Sequence, residues 1–224
     1  MTELWGSLIP LAIASAVLPV QIAITVLMLQ APGGRAAALA WVGGMTVVRL
    51  AQWTVFGVIL ERAVDDGQPG TSAVEGALLL VVSIVFLVSA ARKLLKQPDE
   101  DAPPPRWMAA VSGITPGRGF LLGASVVGLS AKLWAFTLGA IGAIADAGLG
   151  PAGGLAVFVV FILIAEAIHL AAIGLAFVAP ARADVVLGSV GGALERHSRT
   201  VMIGLGLVFG AWFLARSLAA FGIL

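Results

Sequence analysis

Four ionisable side chains stand inside long apolar runs of this 224-residue chain: Arg49, Lys132, Glu166 and His169. At the centre of a bilayer such a group costs about 2.5–3.5 kcal/mol on insertion scales, so it faces a cavity or a partner rather than lipid. Arg49 and Gln52 lie three positions apart, as do Glu166 and His169. Each pair therefore shares one helix face. Gln21 is a milder member of the set, and Arg49 or Lys132 is available to neutralise Glu166. Two chemistries fit. The plainer one is a structural ion pair that fixes helix packing. The other is a polar site for an anionic head group, with Glu166 and His169 countering that charge or carrying protons, since histidine ordinarily titrates near neutrality. The site reading is preferred, because charge buried in lipid is seldom idle.

Other chemistries find no residues. There is no cysteine, hence no disulfide, thiolate nucleophile or Cys-based metal site. No G-x-x-x-x-G-K-[ST] loop is present, so no intrinsic ATPase is expected, and H-E-x-x-H is absent. Glu166-Ala167-Ile168-His169 gives one E-x-x-H, whereas a di-metal bundle needs two such helices, and His197 is the only other histidine. Gly128-Leu129-Ser130-Ala131 with His169 loosely resembles a Ser/His dyad but lacks the second glycine. No enzyme activity, metal or cofactor is expected. A net charge of +1 and no basic patch with interleaved aromatics give no sign of nucleic acid.

The elements that must position these residues are membrane helices. Hydrophobic residues are 60% and charged residues 11% of the chain, and mean hydropathy is +1.06. A soluble domain carries roughly 25% charged residues, and a span takes about 20 apolar ones. The apolar runs predict six helices, at Trp5–Leu29, Ala36–Leu60, Val74–Leu95, Pro116–Ala145, Pro151–Val178 and Thr200–Phe221. The fold expected is an all-α integral membrane protein of six transmembrane helices. The first run is read as an uncleaved helix rather than a signal peptide, because Glu3 and no Lys or Arg precedes it. Residues 96–115 form a Pro- and charge-rich linker, and about 184–199, too short and polar to span, reads as an amphipathic interfacial segment.

Basic residues set the direction. Arg35, Arg92, Lys93, Lys96, Arg106, Arg118, Arg182, Arg196 and Arg199 fall in or beside the loops after helices 1, 3 and 5, against Arg62 and Arg216 on the other side. The positive-inside rule places those loops in the cytoplasm and both termini outside. The halves 1–95 and 116–224 also resemble each other. Leu18-Pro19-Val20-Gln21-Ile22 lines up with Leu129-Ser130-Ala131-Lys132-Leu133, and Ser89 to Leu94 echoes Phe213 to Leu218. Three helices per half make such copies inverted, a transporter architecture with its site at the midplane. Pro19 and the stretch Gly128 to Lys132 are candidate helix breaks, of the kind whose freed backbone groups line cavities in transporters, with a simple kink as the alternative, above all at Pro19. Gly119–Gly123 and Gly206–Gly210 read as close-packing motifs. Trp5, Trp107 and Trp212 read as interface anchors, while Trp53 and Trp134 lie deeper, where they can line a site, though packing against lipid is the commoner fate of such residues.

Leu18 to Ala23 with Val26-Leu27-Met28-Leu29, the Arg-containing turn into Trp41-Val42-Gly43-Gly44, Arg106-Trp107, and Pro180-Ala181-Arg182 through Leu194 to Met202 together resemble the peptidoglycolipid-addressing (sulfolipid-addressing, Sap) family. The resemblance covers the chain in layout. It implies membership of the lysine-exporter superfamily, six helices, and a part in delivering glycolipids to the cell envelope. The family's helix 4 usually carries Asn-Pro-Lys; here Ser130-Ala131-Lys132 keeps the lysine and loses the amide and the proline. The function expected is a transporter or flippase-like exporter of a lipid, glycolipid or other amphiphile, in the bacterial cytoplasmic membrane. Lys132, Arg49, Gln21, Gln52, Ser130, Pro19 and Trp134 are its candidate substrate-binding residues. The alternatives are a small-solute (amino acid or ion) exporter, or a non-transporting assembly factor for a separate lipid exporter. Expected partners are membrane lipids and an anionic lipid or amphiphile substrate, with a larger lipid exporter and a second copy of the chain as further readings.

Overall fold

A computed structural model describes residues 2–57, 71–95 and 106–223, and all regular structure among them is helical. The helices are α1 (Thr2–Ala16), α2 (Pro19–Gln30), α3 (Gly34–Gln52), α4 (Thr71–Leu95), α5 (Arg106–Val111), α6 (Pro116–Leu129), α7 (Ala131–Asp146), α8 (Gly150–Ala165), α9 (Ala167–Val178) and α10 (Pro180–Ala220). α3 runs on into a π-helical turn at Trp53–Gly57. The end expected for helix 2 at Leu60 and residues 96–105 of the linker lie outside the described residues.

Three of the runs read as single helices are bent pairs. α1 and α2 meet at 49°, α6 and α7 at 73°, and α8 and α9 at 62°. The first two bends fall at the expected breakers. Pro19 opens α2, where its missing N–H costs nothing, and it holds Leu18 extended (φ −67°, ψ 111°). Ser130 is likewise extended (φ −86°, ψ 108°) and caps α7, its hydroxyl 3.5 Å from the Leu133 N–H. The third bend corrects the expectation of one unbroken helix over Pro151–Val178. It occurs at Glu166 (φ −106°, ψ 2°), with no proline or glycine beside it.

The end of the chain departs from expectation in the opposite sense. Residues 184–199, expected as a separate interfacial segment, continue without a break into the last helix. Part of their apolar side is used against protein: Leu187, with Ala183 just before the stretch, packs with Ile22 and Val26 of α2 and Ala176 of α9, while Val185 and Val186 stay exposed. At 1.5 Å per residue the 41-residue α10 is about 62 Å long, twice the roughly 30 Å bilayer core. Its portion Arg196–Ala220 is long and apolar enough to cross a membrane alone. Each bent pair meets the same criterion as one span, giving up to four candidate spans among the described residues.

The helices that carry the polar residues are held by small-residue contacts. α3 packs on α6, where a side chain at Gly44 would overlap the backbone of Phe120, and one at Gly123 that of Trp41. α4 packs on α10 through Gly206 against Ala90 and Phe86, and through Gly210 against Leu87. Both expected close-packing motifs are therefore interhelical seams. Ser83 Oγ donates to Gly210 O at 2.9 Å and Ser217 Oγ to Gly76 O at 2.8 Å, tying α4 and α10 together. Phe86, Phe136, Phe209 and Phe213 fill the core between these helices and α7.

Candidate functional site

Five of the expected residues, Arg49, Glu166, His169, Gln21 and Gln52, are buried where broken helices meet α3. The turn at Glu166 aims its carboxylate at α3, where Arg49 Nε lies 3.6 Å from Oε1 and Thr46 Oγ1 donates to Oε2 at 2.8 Å. Thr46 stands three residues before Arg49, on the same face of α3. Arg49 Nη2 donates to Ser15 Oγ at 2.8 Å, at the end of α1 beside the first bend. The guanidinium carbon lies 5.8 Å from the Phe161 ring centroid, within cation–π range. One turn beyond the break, His169 Nδ1 is 2.9 Å from Thr25 Oγ1, which also lies 3.1 Å from its acceptor Gln21 O. With the Thr25 proton on Gln21 O, Nδ1–H donates to Thr25 and Nε2 keeps a free lone pair.

The cluster is deeply buried and incompletely bonded. Arg49 and His169 are each 1% exposed, Glu166 2%, Gln21 3% and Gln52 4%. Arg49 Nη1, both amide atoms of Gln52, Gln21 Nε2 and His169 Nε2 have no hydrogen-bond partner among the described residues. The Arg49–Glu166 contact is an ion pair too long to count as a hydrogen bond, so Arg49 Nε and Glu166 Oε1 share that lack. Leaving a buried donor or acceptor unsatisfied costs about 1–3 kcal/mol. A cluster placed only to hold helices together would have its polar atoms bonded to one another. Here several of them are not so bonded among the described residues, and the two opposite charges leave the cluster close to neutral.

The remaining expected residues are placed differently. Lys132 does not neutralise Glu166; it is half-buried at the start of α7, with Nζ 5.3 Å from the Phe86 ring centroid. Trp134 Nε1 donates to Gly128 O at 2.8 Å, satisfying a carbonyl that the end of α6 leaves without a helical partner. Its ring meets Phe56 edge-on at 5.5 Å. Ser130 and Pro19 sit at the bends themselves. These contacts give Trp134 a part in shaping the break. Trp134→Phe is expected to cost about 1 kcal/mol of stability by orphaning that carbonyl, read as a lower unfolding midpoint in detergent. Ser15, Thr25, Thr46 and Phe161 escape a sequence reading based on charge. For the two threonines a signal exists: Thr25 follows Gln21 by four residues and Thr46 precedes Arg49 by three, each on the face of its polar neighbour.

No acidic, histidine or cysteine group able to hold a metal ion occurs among the described residues. No curated protein and no solved structure matches the chain. Its sequence does match the family described as Sap, sulfolipid-1-addressing protein, over residues 8–219, a stretch that takes in every residue of the cluster, and the chain belongs to that family.

Proposed function

We propose that this protein is a transporter or flippase-like exporter of a lipid, glycolipid or other amphiphile, without enzymatic activity, in the bacterial cytoplasmic membrane. The single observation that carries the reading is the buried polar cluster of Arg49, Glu166, His169, Gln21 and Gln52, whose free donors and acceptors lie where broken helices converge. Irregular backbone at membrane depth is tolerated where it lines a cavity or is buried in protein, and transporters place their sites at such breaks. The family's description, sulfolipid-1-addressing, points toward lipid export.

In this reading α1–α2, α3 and α4 are three spans, and α6–α7, α8–α9 and α10 are their inverted counterparts. Two features support the pairing. The bends at Leu18–Pro19 and at Ser130 fall within one residue of each other when the halves are aligned. The packing of α3 on α6 has its counterpart in the packing of α8 on α1. Both termini then lie outside and the basic loops inside. Arg49 and the amides of Gln21 and Gln52 bind the polar head, Lys132 attracts its anionic group, and Glu166 and His169 balance charge or carry protons.

The test is purified protein in liposomes bearing a fluorescent glycolipid in the inner leaflet. Protein alone should expose the label to an external quencher. Lys132→Ala should slow that exposure by about tenfold, the size of one charge-assisted contact. No exposure without a second protein would favour the assembly-factor reading, and selective efflux of an amino acid or ion would favour the small-solute one.

A further inference from the structure

A second feature lies beside the polar cluster and shares a helix with it. A cleft of about 600 Å³ opens between the end of α3 and the α7–α8 turn, lined among others by Leu50, Trp53, Thr54, Ile144, Gly154 and Leu155. That volume is in the range of about 300–1,000 Å³ seen for ligand sites. The turn bounding it is Gly148-Leu149-Gly150, whose glycines take φ of 60° and 67°, a backbone that admits no ordinary side chain without strain. The named side chains are apolar except Thr54 and the indole N–H of Trp53, and the Thr54 hydroxyl already donates to Leu50 O at 2.9 Å. What occupies such a cleft is mainly apolar, since the Trp53 indole N–H is the one side-chain donor among them left to compensate a polar group for lost water.

The cleft and the cluster are linked by chain adjacency and by packed aromatic rings. Leu50 and Trp53 follow Arg49 and Gln52 directly on α3 and its π-turn. Trp53 stacks on Phe158 with centroids 4.9 Å apart, Phe158 stacks on Phe161 at 5.7 Å, and the Arg49 guanidinium carbon lies 5.8 Å from the Phe161 centroid. Three rings thus form one wall, running from the cleft to the charge. The position of the first ring depends on Gly154, where a methyl group would lie 3.0 Å from Trp53 Cη2 and 3.3 Å from Ile144 Cγ2. Gly154 is the seat that lets the indole lie back and keep the cleft open.

We propose that this cleft receives the hydrocarbon chain of the same amphiphile whose head occupies the polar cluster, with the Trp53–Phe158–Phe161 wall aligning the two and Gly154 setting the space available to the chain. The inference rests on the transport reading above and names the part of the substrate which that reading leaves open. One chain-plus-head ligand accounts for both halves of the architecture: polar groups without partners among the described residues at one end of the ring wall, and largely apolar space at the other.

The experiment uses the full chain in detergent with a lysophospholipid whose acyl chain carries a diazirine, irradiated and mapped by mass spectrometry. Label is expected on residues 50–57 and 141–155, saturable by unlabelled lysophospholipid. Gly154→Leu, which drives Trp53 into the cleft, should lower it at least about tenfold. Thr54→Trp, at an exposed position at the rim, should do the same, and it stands as the readout if Gly154→Leu fails to fold. Label that does not saturate, that spreads along exposed apolar faces, or that is unchanged in either folded variant overturns the proposal. So does equal competition by hexadecane, which has a chain and no head. The liposome assay separates this outcome from failure of transport. Saturable label in the cleft without export removes the transport reading and leaves the site. Export that continues with no label in the cleft removes the site and leaves the transport reading.

Discussion

Arg49→Met will destabilise the protein by about 3–5 kcal/mol, because it leaves the Glu166 carboxylate buried beside α3 with its charged partner removed. The loss is to be read from unfolding of the detergent-solubilised protein. Glu166→Gln alone should also destabilise, since Arg49 then keeps an uncompensated charge at 1% exposure. The double variant Arg49→Met, Glu166→Gln removes both charges together and should recover most of the stability, as replacement of a buried pair by uncharged groups is often close to neutral. Export should not recover with it. That divergence distinguishes a binding site from a packing device. If the double variant regains both stability and export, the ion pair only holds α3 against the α8–α9 break, and the head-group role assigned to it is wrong.

The second large effect is expected at the α3–α6 seam. Gly123→Leu places a side chain into the backbone of Trp41, and neither helix has slack to yield, since Gly44 faces the backbone of Phe120 in the same contact. Overpacking ordinarily costs about 1–3 kcal/mol. Here the obstacle is main chain and not a movable side chain, so the cost should reach or exceed the top of that range, with loss of folded protein from the membrane fraction. Gly174→Leu is the control: it lies on α9 with nothing within 4 Å of an added Cβ, and it should express and melt like the parent. Because Thr46, Arg49 and Gln52 all ride on α3, a milder Gly123→Ala should lower export before it abolishes folding. A Gly123→Leu protein that melts like the parent would remove this seam from the account of how α3 is positioned.

What the sequence by itself determined is the class of molecule and its chemical vocabulary. Hydropathy alone specifies long apolar helices, because the cost of exposing apolar side chains to water is summed over whole runs and does not depend on which helix packs on which. The bends at Pro19 and Ser130 were legible for a local reason: a proline, and a polar residue after a glycine-containing turn, act on their own backbone. Arg49, Glu166, His169, Gln21 and Gln52 were legible because their cost in an apolar medium is visible one residue at a time. The family could be read from the order of short motifs, and the match over residues 8–219 bears that out.

Tertiary structure decided the rest. It assigned Glu166 to Arg49 and placed Lys132 over Phe86, a choice between two cations that depends on which helices adjoin and leaves no trace in spacing. It bent the fifth apolar run at Glu166, where no local breaker stands; the carboxylate meets Arg49 and Thr46 from a turn that only the neighbouring helix explains. It merged residues 184–199 with the last helix, where Leu187 and Val190, which sequence alone assigns to the bilayer surface, pack instead on α2 and α9. It also supplied Ser15, Thr25 and Phe161, residues ordinary in any membrane helix, which matter here through what stands opposite them. Periodicity and burial cost are properties of a chain in a solvent; partner choice is a property of surfaces brought together, and it exists only once the helices have packed.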